Sequence, residues 1–327
     1  MTAQEEPPTM RAVRTTAAGS PEVLEPFEAA RPVPLPTEIL VEVHAAGVNP
    51  VEWKIRSGKF PPGALGAYPF IQGWDVSGVV AAGPRVTRFQ PGDEVLGLIW
   101  FPRQGGGYAE YVTAPARQFV RKPASLSFEE AAALPMAGLT AWQTLVDVAD
   151  VRPGLRVLVT AAAGGVGHLA TQVAKARGAV VTGTARAAKH DFLRENGVTH
   201  AVDYTAVDVA EHVHGQDVVL DLLGGENSLR LLETLRPGGL LILAIGFVSP
   251  ELATRAEQLG VRVTAFLVEP DQVGLSALVD LVERGELRVH LDQVFELADV
   301  AKAHEMGESN RTTGKLALSV RPPVTTL

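Results

Sequence analysis

Between Met10 and about Val120 the chain runs in short β-prone stretches broken by Gly and Pro: MRAVRTT, EILVEVHAAGV, WDVSGVVAAG, PGDEVLGLIW and YAEYVTAP. In EILVEVHA, Ile39, Val41 and Val43 alternate with polar partners, the two-residue period of a strand buried on one face. The segment reads as a small, mostly β domain. At Ser127 the texture changes, because Ser127 and Glu130 have capping-box spacing ahead of an Ala-rich stretch, and helical spacing continues from Gly138 to Val148. From Arg156 continuous apolar runs alternate with amphipathic ones: RVLVTAA, a helix from Gly165, AVVTGTA, a helix over 187–195, HAVDY, a short polar helix, DVVLDLLG, a helix over 226–235, GLLILAIG, another helix and VRVTAFLV. That alternation predicts an α/β fold, a doubly wound parallel sheet of six strands covered by helices on both faces. After Asp271 a helix carries Leu275, Leu278, Val279 and Val282 on one face, and VFELADVAKAHE and a closing strand KLALSV are expected to pack back onto the β-rich domain. The sixth strand would be an exposed apolar edge in a lone subunit, so a homodimer joined along it is expected.

A chain of 327 residues exceeds what one core usually serves, which fits two domains. The expected division is a disordered leader over 1–9, the β-rich domain over 10–127, the nucleotide-binding domain over 128–270 and the return over 271–327. With 46 % hydrophobic and 20 % charged residues the chain has enough apolar side chain for a packed interior. A net charge of −8 has the wrong sign for broad phosphate-backbone contact, so nucleic acid is not an expected partner. The longest apolar run, near Gly239 to Val248, is shorter than the roughly 20 residues that cross a bilayer, so no membrane span is expected. The opening MTAQEEPPT lacks the basic start and apolar stretch of a secretion signal, and the expected compartment is the cytoplasm. Cysteine is absent, which excludes disulfides, a thiolate nucleophile and any zinc site built on Cys.

In VLVTAAAGGVGHLATQVAKARG, Ala162, Gly164 and Gly167 occupy the three glycine positions of a dinucleotide-binding turn, directly after a strand and opening a helix. Val166, Leu169, Ala170, Val173 and Ala174 form one buried stripe on that helix. Gly164 would admit a pyrophosphate to the helix N-terminus, and Gly167 would permit close helix packing. Ala at the first position departs from the motif. The second strand ends at Thr184, Ala185 and Arg186, with no acid placed to hold a ribose hydroxyl. Arg186 and Lys189 offer two cations to a 2′-phosphate, which predicts NADPH over NADH; the bland reading is a pair of solvated cations at a helix start.

These motifs, with AAGVNPVEWKIRSG from Ala45, GWDVSGVV from Gly73, PGDEVLG from Pro91, GGYAEYV from Gly106, AGLTAWQTL from Ala137 and the TTGKLAL close, resemble the medium-chain dehydrogenase/reductase superfamily. Within it the likeness is to the zinc-free quinone oxidoreductases of the zeta-crystallin type. The resemblance implies a GroES-like catalytic domain, an inserted Rossmann domain and a cofactor in the cleft between them. It also implies that Gly164, Gly165, Val166 and Gly167 hold the pyrophosphate, that Thr140 lies near the nicotinamide, and that Lys189 and Tyr204 bind the 2′-phosphate with Arg186 as an added cation. Thr184, Leu223, Gly224, Ile245, Gly246 and Phe247 follow or end strands whose carboxyl ends should border the cofactor. Zinc-using relatives supply Cys where this chain has Asn49 and His where it has Trp74, and their four-Cys lobe would fall near Leu96 to Gly107, which holds none. The metal expectation is therefore none; His212 and His214 read as a solvated pair in a polar helix.

A site without a Lewis-acid ion suits an acceptor that spreads developing charge itself. Quinones and α,β-unsaturated ketones do so, leaving a phenolate or an enolate for a few hydrogen-bond donors to stabilise. The expected donors are Asn49 and Lys54. Lys54 stands where zeta-crystallin-like proteins more often carry Tyr and resembles the NPVDWK of plant enone-reducing relatives; the other reading is an exposed lysine on a short helix. Asn49 doubles as a helix cap ahead of Pro50. Arg56 reads as a surface cation, Tyr108 and Tyr111 as loop residues flanking the substrate, with Tyr111 equally readable as a packed strand residue, and Trp53, Phe60, Phe70 and Trp100 as core or pocket lining. The alternatives to this enzyme are an enoyl thioester reductase and a non-catalytic NADPH-binding sensor.

Overall fold

The computed structural model describes residues 8–60 and 65–321; most of the expected leader, residues 1–7, lies outside the described residues, and Thr9 already opens the first strand. In chain order the elements begin with β1 (Thr9–Thr15), β2 (Leu24–Ala30), β3 (Glu38–Val48), α1 (Pro50–Arg56), β4 (Phe70–Ile71), β5 (Asp75–Ala82), β6 (Glu94–Leu98), β7 (Tyr111–Pro115), β8 (Phe119–Arg121), α2 (Phe128–Ala133) and α3 (Pro135–Trp142). There follow β9 (Arg156–Val159), α4 (Gly165–Ala176), β10 (Val180–Thr184), α5 (His190–Glu195), β11 (His200–Val202), α6 (Val209–His212), β12 (Gln216–Asp221), α7 (Asn227–Leu231), β13 (Leu235–Leu243), α8 (Pro250–Leu259) and β14 (Arg262–Ala265). The chain closes with α9 (Gln272–Glu283), β15 (Leu291–Glu296), α10 (Val300–Glu308) and β16 (Lys315–Ser319).

Two compact units result: residues 1–136 with 269–279 and 289–327, and residues 137–268 with 280–288. These limits differ from the pattern-based division at 127 and 271. The Ser127 cap does form, with Ser127 Oγ accepting from Glu130 N–H and the Glu130 carboxylate accepting from Ser127 N–H, but α2 packs on β3, β5 and β16 and so belongs to the first unit. Helical texture marks where an element starts, not which core it joins.

In the first unit β3 is the hub. It pairs antiparallel with β5, β7 and β16, within a seven-stranded sheet ordered β15-β16-β3-β5-β6-β8 with β7 also on β3; β2, β1 and β4 form a smaller sheet. The expected alternation survives only where Glu42 and His44 are half-exposed; from Ala45 to Val48 both faces are buried. The reason is local. A Cβ on Gly47 would meet Ala132 O of α2 at 2.5 Å and Asp75 Cβ of β5 at 2.8 Å, so these elements close over the strand only because position 47 has no side chain.

The second unit holds the six-stranded parallel sheet, ordered β11-β10-β9-β12-β13-β14, the doubly wound order. Val157, Leu158, Val159, Val219 and Leu220 have no or almost no exposure, as strands covered on both faces require. On α4 the residues Leu169, Ala170, Val173 and Ala174 are buried and Val166 is half-buried. Helical structure from α3 continues to Val148 as a π-type turn, closed by Ala149 N–H donating to Thr144 O at 3.0 Å. β14 is the outer strand, paired on one side by β13. No helix among the described residues is long and apolar enough to cross a membrane.

Candidate active site

Because all six strands of the second unit run in parallel, their carboxyl ends share one edge, and most of the proposed cofactor residues follow those ends. After β9 the backbone turns through Ala161 at φ 46°, a left-handed conformation, and Gly164 caps α4 in an extended one. The N–H groups of Gly165, Val166 and Gly167 meet no backbone carbonyl among the described residues, so the helix opens with free donors and its positive end. A Cβ on Gly167 would lie 2.3 Å from Ala161 O and 2.7 Å from Ala162 Cα, so only glycine lets the helix start this close to the strand. The Ala at the first motif position is also accounted for: Ala162 N–H donates to Thr184 O at 3.0 Å, and the space its methyl takes lies over Gly183, where a Cβ would come within 2.9 Å of it.

At the ends of β10 and β11, Arg186 is exposed and its Nε donates to Tyr204 Oη at 3.2 Å; Lys189 is half-buried on the single turn that follows. Asp203, directly after β11, is committed elsewhere. Its carboxylate accepts from Thr205 Oγ1, Thr205 N–H and Ala187 N–H, and the Thr205 hydroxyl, foremost, holds it below the usual carboxylate range. After β12 the buried Asp221 accepts from Leu223 N–H at 2.9 Å, Gly224 N–H at 3.2 Å and Ser228 Oγ at 2.6 Å, which folds the loop that leaves Leu223 exposed. After β13, Gly246 sits at φ 88° and Phe247 is 87 % exposed, an apolar ring that contributes nothing to the core. Thr140 lies on α3, buried, its carbonyl accepting from Thr144 Oγ1 at 2.6 Å. Asp221 opens the segment 221–225 that the strand end is expected to set beside the cofactor, and the sequence does not show that its carboxylate folds that loop.

In the first unit a polar core surrounds the start of α1. The cap at Asn49 forms with Glu52, whose carboxylate accepts the Asn49 N–H at 2.6 Å. The Asn49 amide is fully engaged: Nδ2 donates to Asp75 at 3.0 Å and Glu52 at 3.3 Å, and Oδ1 accepts from the Lys315 ammonium, which also donates to Val48 O at 3.0 Å. Burial pushes Glu52 up to about 8, aided by the Asp75 charge and opposed by Lys315. Asp75 rises to about 6 by burial, against Lys315, the Asn49 bond and the Met136 N–H. Lys315 is lowered by burial, against the pull of both carboxylates. Tyr108 is buried, not a loop residue open to substrate, with its hydroxyl 3.5 Å from Nε2 of the buried His304, which burial and then Arg56 depress to about 3. Glu52, Asp75, Lys315 and His304 were missed, although the spacing of Asn49 and Glu52 already had capping-box form.

Lys54 is half-buried, forms no ion pair among the described residues, and has its pKa lowered by burial and then by Lys59. Arg56, expected at the surface, is buried: its guanidinium donates to Gly19 O and pairs with Glu308, because α1 lies against α10. Tyr111 is a strand residue whose hydroxyl donates to Glu42 at 3.2 Å. Phe70 is core, Trp53 and Trp100 pack against the core, and Phe60 is exposed.

Neither position that zinc relatives use for ligands fits the ion. The Asn49 oxygen is capped by an ammonium, and Trp74, buried, can only donate, its indole N–H going to Arg103 O. His212 and His214 are exposed with one ring nitrogen each on a backbone carbonyl, and His214 lies beyond α6 rather than on it. Among the described residues no three His, Cys, Asp or Glu side chains converge as a metal site.

Glu52 has a folded-state value above its unfolded one, so its contribution to stability is full below about pH 4.5 and is lost as pH rises toward about 8. His304 and His44, depressed from 6.5, act in the opposite direction and mainly below that pH. The thermal midpoint is expected to fall between pH 6.5 and 8, and Glu52→Gln to flatten that fall. Equal slopes for the two proteins, measured by calorimetry, would count against a proton held on Glu52.

Residues 35–124 match the alcohol dehydrogenase GroES-like domain, and residues 196–318 match a zinc-binding dehydrogenase family. The quinone oxidoreductase of Pongo abelii is 34 % identical over 326 residues, covering 94 % of this chain and 97 % of that protein. A solved structure described as an NAD-dependent alcohol dehydrogenase superposes with a TM-score of 0.88 at 34 % identity, covering 95 % of this chain and 100 % of the other. The Escherichia coli quinone oxidoreductase complexed with NADPH gives 0.85 at 29 % identity, again over 95 % and 100 %. With a GroES-like domain, a Rossmann sheet of six strands and quinone oxidoreductases among its relatives, the chain belongs to the medium-chain dehydrogenase/reductase superfamily.

Proposed function

We propose that the chain is an NADPH-dependent, zinc-independent oxidoreductase that transfers hydride to a quinone or an α,β-unsaturated carbonyl. The observation that carries this reading is the state of Asn49 and Trp74: an amide oxygen already bonded to an ammonium and an indole that can only donate stand where zinc relatives place ligands. Without a Lewis acid, the acceptor has to delocalise its own charge, and the protein need supply only donors. Lys54 is the donor this reading favours. An ammonium that is half-buried and unpaired among the described residues acts on a developing oxyanion with less solvent screening than an exposed one. Asn49, its amide in use on both sides, serves to hold α1 rather than to touch substrate.

For the cofactor, the free N–H groups of Gly165, Val166 and Gly167 suit a pyrophosphate, with Gly164 leaving room for it. Thr184, Arg186, Lys189 and Tyr204 ring the place of a 2′-phosphate, and the joined Arg186 and Tyr204 side chains support NADPH. Leu223, Gly224, Ile245, Gly246 and Phe247 border the rest, with Thr140 beside the nicotinamide. When bound, the reduced nicotinamide supplies the hydride. Likeness to an NAD-dependent alcohol dehydrogenase favours a second reading, in which NADH reduces a simple ketone.

Oxidation of NADPH is expected with quinones and enones and not with simple ketones, at a rate unchanged by a chelator; loss of the rate to chelation and recovery with added divalent ions would overturn the metal-free reading, and a preference for NADH with ketones would install the second. Lys54→Met should lower kcat by about 10²-fold, the scale of a lost oxyanion donor. Because a lysine donates only while protonated and this one titrates early, the wild-type rate should decline on the alkaline side at a pH below that of an ordinary lysine, and the variant should lack that limb. We further propose a homodimer joined along β14, whose free edge calls for a partner strand; sedimentation equilibrium should give twice the chain mass.

A further inference from the structure

The donor assigned above rides on α1, seven residues long, and a helix of two turns does not hold its place in water unaided. Its position is therefore set by what ties down its ends. At the carboxyl end the ties are the buried Arg56, bonded to Gly19 O and Glu308, and Trp53, whose ring lies where a Cβ on Gly307 would come within 2.6 Å. At the amino end they converge on one side chain from the far end of the chain. Lys315 opens β16, whose next residue, Leu316, pairs with Val48, and its ammonium donates to Val48 O and Asn49 Oδ1, directly before the helix begins. Asn49 relays that anchor to Asp75 of β5 and to Glu52 in the first turn of α1. Lys315 and Asn49 are 3 % exposed and Glu52 and Asp75 are fully buried, so the ammonium is the cation that faces the Asp75 carboxylate away from water, beside a Glu52 that keeps its proton up to about pH 8.

We propose that Lys315 is a positioning residue for Lys54: by fixing Asn49 and the first turn of α1, its ammonium sets where the Lys54 ammonium stands. The inference rests on the reading of Lys54 as the donor. Without Lys315 the Asn49 oxygen and Val48 O lose their donor and the buried Asp75 carboxylate loses the cation that faces it. The first turn of α1 then loses its fixed point while Arg56 and Trp53 still hold the last, and the helix pivots with Lys54 on it. The dinucleotide turn belongs to the other unit and is untouched.

The test is a double-mutant cycle read by steady-state kinetics of NADPH-dependent enone reduction, with NADPH affinity from fluorescence titration. Lys315→Met is expected to lower kcat at least tenfold while leaving the NADPH affinity within twofold, and Lys315→Arg, which keeps the cation, to restore part of the loss. Should Lys315→Met not fold, Lys315→Met with Asp75→Asn removes a cation and an anion together; it is expected to fold and to keep the low kcat. In a Lys54→Met background the Lys315 substitution should cost less than threefold, since the group it positions is gone. Full, independent losses from the two substitutions would overturn the positioning role while leaving Lys54 as donor, and so would wild-type turnover in Lys315→Met or in the Lys315/Asp75 double variant. Unchanged turnover in Lys54→Met alone would sink the donor reading itself, and the inference with it.

Discussion

One ammonium facing two carboxyl groups, of which Glu52 keeps its proton up to about pH 8, constrains much of the first unit from a dry interior. Lys315 lies 266 residues from Asn49 in the chain, yet the two are bonded, with Asp75 and Glu52 gathered around the same amide. Desolvating an ion pair is costly, and the arrangement holds only while each charge keeps its partner; taking one away typically costs about 3–5 kcal/mol. The packing that permits it is correspondingly tight. Gly47 lets α2 and β5 close over β3, and Asp75 accepts the Met136 N–H at 2.8 Å as α3 begins. Strand pairing, the placement of α1 and the protonation of the core are thus parts of one balance of charge.

The second unit relies on a different constraint. Parallel strands bring chemically unrelated loops to a common edge without any side chain having to arrange it. What side chains add there is loop shape: Asp221 spends its carboxylate on two backbone N–H groups and the hydroxyls of Ser228 and Thr160, and Asp203 spends its own on two backbone N–H groups and a threonine hydroxyl. Both acids are builders of backbone. Arg186 is exposed beside them, its guanidinium bonded to the Tyr204 hydroxyl.

The alternation of apolar strands and amphipathic helices, the capping pair Ser127 and Glu130, and the Gly-rich turn were readable because each is a local pattern whose period or spacing is fixed by backbone geometry. Membership of a core is not local. α2 looked like the start of the second domain and packs in the first, and β3 alternates in sequence yet is buried on both faces from Ala45 to Val48, where β5, β16 and α2 meet over it. Charged residues misled for the same reason: nothing near Arg56 in sequence announces Gly19 or Glu308, and nothing near Asn49 announces Lys315. The site residues that sequence reasoning reached are those attached to a motif, and the ones it missed are held by partners from distant strands.

The alanine in place of the first glycine of the dinucleotide turn has a consequence for how such turns are recognised. Its methyl group is accommodated by the bare backbone of Gly183 on the adjoining strand, so the steric requirement usually met by one residue is shared between two that are 21 positions apart. A fingerprint confined to a single strand, turn and helix scores this chain as degenerate, whereas a rule that sums side-chain volume across the neighbouring strand would count it as intact.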